Sequence, residues 1–238
     1  MTKVQVRSLC VIVGSLSLAA CGGGEEGANT TAAAANIQAP KYAPLSIGGG
    51  TPKFSLADGP DICFRQVAAK LGANAKVSEL TSFFSVGKEI DPSAITSAPA
   101  GGMTTCTVQY QNPQDPRKLL EMSMDTKDGT FSAPRPVEIT VMGGDASKFN
   151  LEDHLISLSQ VNAAGLKAVM DGQKASMDKI FGKYAWSGVR LSSPGAFDPK
   201  HWLRLDIDGR LASNDIKESG YASIALDGKT INRNYLKP

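Results

Sequence analysis

Beyond about Asp61 the chain passes twice from a helical period to runs that alternate every second residue, and this order constrains the fold more than any other feature. Ile62, Cys63, Val67 and Leu71 recur at helical spacing, and Gly72 is placed to cap that helix. Val77 to Ile90, with Phe83, Phe84 and Val86, fits either a strand or a short helix. Cys106, Val108 and Tyr110 then alternate with Thr105, Thr107 and Gln109, which predicts a strand with one buried and one wet face. Asn112 to Pro116 breaks the chain before Leu120, Met122 and Met124 alternate again, Asp128-Gly129 marks a turn, and Pro134 and Pro136 precede a third strand through Val137, Ile139 and Val141.

The second cycle opens at Asn150, an N-cap with Asp153 three residues on, an approximate capping box. Leu151, Leu155, Leu158, Leu166, Val169, Met177, Ile180 and Tyr184 follow a helical period, predicting one long amphipathic helix or two in succession, with Gly165 and Gly172 as weak points. Strands are predicted at Gly188 to Leu191 and Trp202 to Ile207. Asp208-Gly209 and Asp227-Gly228 read as turns, the second joining Ile224-Leu226 to Ile231 in a hairpin. The expected fold class is α+β: two successive helix-plus-antiparallel-sheet units, 60–143 and 144–238, sharing one core or lying side by side. No sequence identity between the two cycles is visible.

The N-terminal end is of another kind. Lys3 and Arg7 precede the uncharged stretch Leu9 to Ala20, which ends in Leu18-Ala19-Ala20-Cys21-Gly22. Twelve residues rising about 1.5 Å each span roughly 18 Å, short of a bilayer core of about 30 Å, so a cleaved export signal fits better than a spanning helix. Leu18-Ala19-Ala20-Cys21 resembles the lipobox of bacterial lipoproteins; an ordinary secretory signal that merely has a cysteine nearby is the alternative. The resemblance, confined to residues 1–22, implies cleavage after residue 20, a diacylglyceryl group on the Cys21 sulfur and, in many bacteria, a further acyl chain on its amine. Two or more chains anchor stably where one does not. Gly22 is not the aspartate that commonly retains such proteins in the inner membrane, which favours the outer membrane, facing the periplasm. Residues 21–59, rich in Gly, Ala, Thr and Pro, cannot bury enough apolar surface to offset their ordering entropy and are expected to form a flexible tether.

Cleavage also changes the charge and the cysteines. Losing Lys3 and Arg7 from 25 basic residues brings them level with the 23 acidic ones. A neutral mature chain gives no footing for nucleic acid or for a polybasic membrane patch. With Cys10 removed and Cys21 lipidated, Cys63 and Cys106 remain, and in an oxidising compartment such a pair is expected to bridge. A redox or metal pair is the competing reading, but no C-x-x-C and no nearby histidine accompany it.

Signatures of catalysis are sparse. His154 and His201 have no metal-ligand partner at i+4, so neither a metal nor another cofactor is expected. No G-x-S-x-G, phosphate-binding loop or dinucleotide fingerprint occurs. Asp206-Ile207-Asp208-Gly209 lacks calcium-loop spacing and reads as a hairpin turn, with Arg204, Asp206 and Asp208 on one solvated strand face. Tyr184, Trp186, Phe197 and Trp202 form an aromatic concentration, read either as a core corner or as a partner-binding surface. The expected function is therefore a membrane-anchored envelope lipoprotein acting as a non-catalytic binding or assembly module, with an envelope protein as partner. The alternative is an envelope hydrolase acting on peptidoglycan or glycan through dispersed carboxylates. The element order resembles that of small outer-membrane assembly lipoproteins and tandem α+β inhibitor proteins, by arrangement and not by motif.

Overall fold

The computed structural model describes residues 51–95, 97–141, 145–195 and 198–237. The lipobox, Cys21, Phe197 and residues 21–50 of the expected tether lie outside the described residues. Where composition predicts tether up to Gly59, the chain is already bonded into the fold at Lys53. The Lys53 N–H donates to the Thr126 carbonyl at 2.7 Å, the Met103 N–H to that of Phe54 at 2.9 Å and the Leu56 N–H to that of Gly101 at 2.8 Å. Phe54 and Leu56, isolated apolar residues in a Gly/Pro context, supply the surface that holds this segment against the core.

The fold is a mixed one built on a large antiparallel sheet. Among the described residues there are two α-helices, α1 (Ile62–Leu71) and α2 (Leu166–Met177). The nine strands are β1 (Lys76–Phe84), β2 (Met103–Gln111), β3 (Leu119–Ser123), β4 (Arg135–Val137), β5 (Ile156–Ser157), β6 (Phe181–Ser192), β7 (Trp202–Leu211), β8 (Lys217–Ile224) and β9 (Ile231–Tyr235). They run in the order β4-β3-β2-β1-β6-β7-β8-β9, with the two-residue β5 beside the start of β1. Each helix is followed by four strands of the main path in meander order, and the two meanders meet where β1 pairs β6, Leu80 opposite Leu191 and Phe83 opposite Gly188.

One core cluster lies on one face of the sheet. Leu80 and Phe84, Cys106 and Val108, Val189 and Leu191, Leu203, Leu205 and Ile207, and Ala222 and Ile224 point into it, packed with Ile62, Phe64 and Val67 of α1 and Leu166, Val169 and Met177 of α2. The period of two along each strand makes one face dry and leaves the other open. Helix α1 ends where Gly72 adopts φ +94°, as its expected cap role requires. Cys63 and Cys106 form a disulfide, Cα–Cα 5.6 Å, that ties α1 to β2.

Several sequence expectations need correction. The long helix over 150–184 is instead a series of single 3-10 turns, then α2, then a strand that begins at Phe181 and contains Tyr184. The cause is side-chain competition with the backbone. Within the segment the side-chain oxygens of Asn150 and Asn162 accept from Glu152 and Gly165 N–H respectively, each capping its own short turn. The ambiguous segment after Val77 is a strand that stops at Phe84, and the third strand of the first cycle is only Arg135–Val137. Asp208-Gly209 is not a turn: Asp208 pairs Ser219 and Gly209 pairs Glu218 inside the β7–β8 ladder. A Cβ at Gly209 would lie 2.5 Å from the Phe181 ring and 2.8 Å from the Lys183 carbonyl, so close strand packing and not turning explains that glycine.

Candidate functional site

The open face holds a cavity of about 970 Å³, lined from β1, β2, β3, β6, β7 and β8 and the turn that follows β3, and roofed along one side by the connection that follows Phe84. Its floor is organised by register. Phe83 lies opposite Gly188, Gly188 opposite Asp206, Asp206 opposite Tyr221 and Tyr221 opposite Tyr235, a single row across β1, β6, β7, β8 and β9.

Asp206 sits at the middle of that row, 9% exposed. Arg190 holds it with a fork, Nε donating to Oδ2 at 3.0 Å and Nη2 to Oδ1 at 2.9 Å. Arg204, directly opposite Arg190 in the β6–β7 pairing, donates its Nε to Oδ1 at 2.7 Å. Each guanidinium also covers an aromatic ring: Arg190 stands 5.4 Å from the centre of Phe83, and Arg204 stands 4.0 Å from that of Tyr221. Two like charges side by side would repel; one shared carboxylate and two ring faces hold them in place. Gly188 makes the space, since a Cβ there would stand 2.9 Å from Asp206 Oδ2 and 3.0 Å from the Phe83 ring. Arg204, Asp206 and Asp208 do share one strand face, as the sequence indicates, but the expectation of a solvated strand is corrected at Asp206, which register buries beneath two arginines.

The rim is fastened across the sheet centre. Asp91 bonds Lys217 Nζ at 2.7 Å, and Arg210 Nε donates to the Ile90 carbonyl at 3.0 Å, so the β1–β2 connection is pinned to β7 and β8. The Lys217 ammonium and the Ser93 hydroxyl lower the Asp91 pKa to about 2. Ile95, 82% exposed, stands at the cavity edge.

The aromatic residues singled out in the sequence are divided. Trp186 is in the core, Tyr184 is half-buried with its hydroxyl donating to Asp178 at 3.0 Å, and Trp202 lines a second cavity of about 690 Å³ with His201, Asp198 and Arg233. His201 Nε2 lies 3.1 Å from the His154 carbonyl, and burial pushes its pKa below the usual imidazole value. The rings that the structure brings to the open face are Phe83, Tyr221 and Tyr235. Their signal in the sequence was only alternation, and which strands would be neighbours was not written in it.

Among the described residues no group of three or more His, Cys, Asp or Glu side chains could hold a metal ion. Carboxyl groups displaced from their ordinary range, among them Asp91, Asp115, Asp178 and Asp227, are displaced downward, opposite to what a general acid needs. Asp208 accepts from the Ser219 hydroxyl. No described helix is long and apolar enough to cross a membrane. No protein-family model, curated protein or solved structure matches this chain.

Proposed function

We propose that this chain is a lipid-anchored envelope protein whose folded part is a non-catalytic binding or assembly module, and that the open sheet face is its binding surface. The observation that carries the reading is the cavity of about 970 Å³ floored by Arg190, Arg204, Asp206, Phe83 and Tyr221. Arginine and aromatic side chains dominate interface energetics, and here they are held before any partner arrives. The anchor rests on the lipobox resemblance at Cys21, and Gly22 in place of an aspartate favours the outer membrane, facing the periplasm. The element order supports reading the fold as two helix-plus-four-strand units joined through β1 and β6.

The hydrolase alternative draws on the four aspartates of the cavity lining, Asp91, Asp125, Asp206 and Asp208. Against it stand the two guanidiniums on Asp206 and the lowered pKa of Asp91. Crosslinking of the full chain in its host, beside a Cys21→Ser control, tests the binding reading. The expected result is a specific envelope protein adduct that depends on the anchor. Absence of any specific adduct, together with loss of envelope glycan turnover in Asp206→Asn or Asp208→Asn, would replace it by the hydrolase.

A further inference from the structure

We infer that the open face receives an extended partner segment carrying both signs of charge, an Asp or Glu and a Lys or Arg two residues apart; this rests on the open face being the binding surface. The cavity lining is charge-balanced as a whole, and its charges fall into local groups. Asp91 is bridged by Lys217, and Asp125 shares a turn with Lys127, from whose N–H its carboxylate accepts. Asp206 is taken by Arg190 and Arg204 together, so that cluster keeps one positive charge. The remaining charge is that of half-buried Asp208, which accepts from the Ser219 hydroxyl and is bridged by no lysine or arginine among the described residues. The lining thus has two poles of opposite sign, positive over Asp206 and negative at Asp208.

Both poles have hydrogen-bonding capacity to spare. Among the described residues, Nη1 of Arg190, both Nη atoms of Arg204 and one oxygen of Asp208 have no hydrogen-bond partner. The rings of Phe83 and Tyr221 hold the guanidinium planes, so these donors are placed before a ligand arrives. A carboxylate fits the guanidiniums, and an ammonium or guanidinium fits Asp208. A segment of one sign would satisfy one pole and be repelled by the other. The spacing selects the ligand further. Asp206 and Asp208 are two residues apart on one face of β7, about 7 Å along the strand. An extended chain lying along β7 brings its own side chains i and i+2 to one face at that same interval. A free amino acid, with both charges on one carbon atom, cannot reach both poles.

Pools of capped synthetic octapeptides with randomised uncharged flanks test this against the full chain purified in detergent micelles, read by fluorescence anisotropy. One pool carries Glu-Ala-Lys at its centre. A second, of the same composition, carries Glu-Lys-Ala, which turns the two charges to opposite faces of an extended chain. Glu-Ala-Gln and Gln-Ala-Lys each remove one charge, Glu-Ala-Glu reverses one, and glycerophosphoethanolamine, added as competitor, offers both charges without a peptide. The expected result is tightest binding of the Glu-Ala-Lys pool, by about tenfold over each of the others. Arg204→Gln is expected to bind the Glu-Ala-Lys and Gln-Ala-Lys pools alike, and Asp208→Asn to bind Glu-Ala-Lys and Glu-Ala-Gln alike. Arg204→Lys, which keeps charge without the fork, serves where the glutamine variant does not fold and is expected to fall between. No preference for Glu-Ala-Lys over Glu-Lys-Ala, tighter binding of Glu-Ala-Glu, displacement by glycerophosphoethanolamine or variants that discriminate as the wild type does would overturn the proposal. In-cell adducts at the open face that persist in both variants would sink the two-signed segment while sparing the binding-module reading; absence of all such adducts in the wild type sinks both.

Discussion

The two halves of the sheet share an order of elements and differ in what stabilises and what decorates them. In the first half, a disulfide ties α1 to β2, and the polar groups on the open face of β2 and β3 satisfy one another, Glu121 being paired with Arg135 of β4. There Thr107 and Ser123 hydroxyls bond at 3.1 Å, and Gln109 donates to Glu121 at 3.4 Å. In the second half no disulfide joins α2 to the sheet, and the open face carries Arg190, Arg204, Asp206, Asp208, Lys217 and Tyr221. We propose that the difference separates two tasks: the stapled meander holds the fold and lines the cavity with Phe83, Asp125 and Lys127, while the other adds the arginine–aspartate cluster and Tyr221. The connection after β1 joins the tasks, because it leaves the stapled half and fastens to the decorated one through Asp91 and Lys217.

The largest effect belongs to the staple. Replacing Cys63 and Cys106 together by alanine removes a bridge spanning 43 positions, which the chain-entropy treatment values at about 4 kcal/mol. Urea unfolding of the double variant is expected to show that loss, while binding at the open face under native conditions stays as in wild type. A large binding loss in the still-folded variant would show that the halves are not separate in their tasks.

Next comes the floor of the site. Gly188→Ala drives a methyl group against Asp206 and the Phe83 ring and is expected to cost about 1–3 kcal/mol by overpacking. Gly182→Ala, in the same strand with its nearest neighbour at 3.6 Å, is expected to leave the unfolding midpoint nearly unchanged. Thermal unfolding of the two side by side checks this; equal midpoints would deny that Gly188 is spared for the arginine cluster.

The smallest effect is electrostatic. Asp91 has a folded pKa near 2 against an ordinary 3.8, so its contribution is present above 3.8 and disappears as pH falls through 2. Lys217→Ala should return the Asp91 titration toward its ordinary value, followed by the carboxyl carbon signal in NMR, and flatten the acid limb of stability between about pH 2 and 4. An unmoved titration would mean that the connection is not fastened to β8 in solution.

What was legible in the sequence was whatever a short window contains. Helix α1, its Gly72 cap, the alternation of β2 and β7 and the turns at Asp128-Gly129 and Asp227-Gly228 are all local statements, and the structure has them. The segment 150–184 misled because its leucines kept a helical spacing while Asn150 and Asn162 closed the backbone into separate turns, a contest that periodicity does not register. The site escaped for a different reason. Arg204 and Asp206 were visible as one strand face, but Arg190, Phe83 and Tyr221 reach them only through the pairing of β1 with β6 and of β7 with β8. Gly188 marked the place, since a glycine inside a strand signals a close approach, though not what approaches.

The division of tasks is tested most directly by placing a photoreactive amino acid, in the anchored full chain in its host, at Ser219 of β8 or at Gln109 of β2. Both positions lie on the open face, one in each half. The account predicts a specific envelope protein adduct from position 219 and none from 109. Adducts of equal yield from both positions, or from 109 alone, would contradict it.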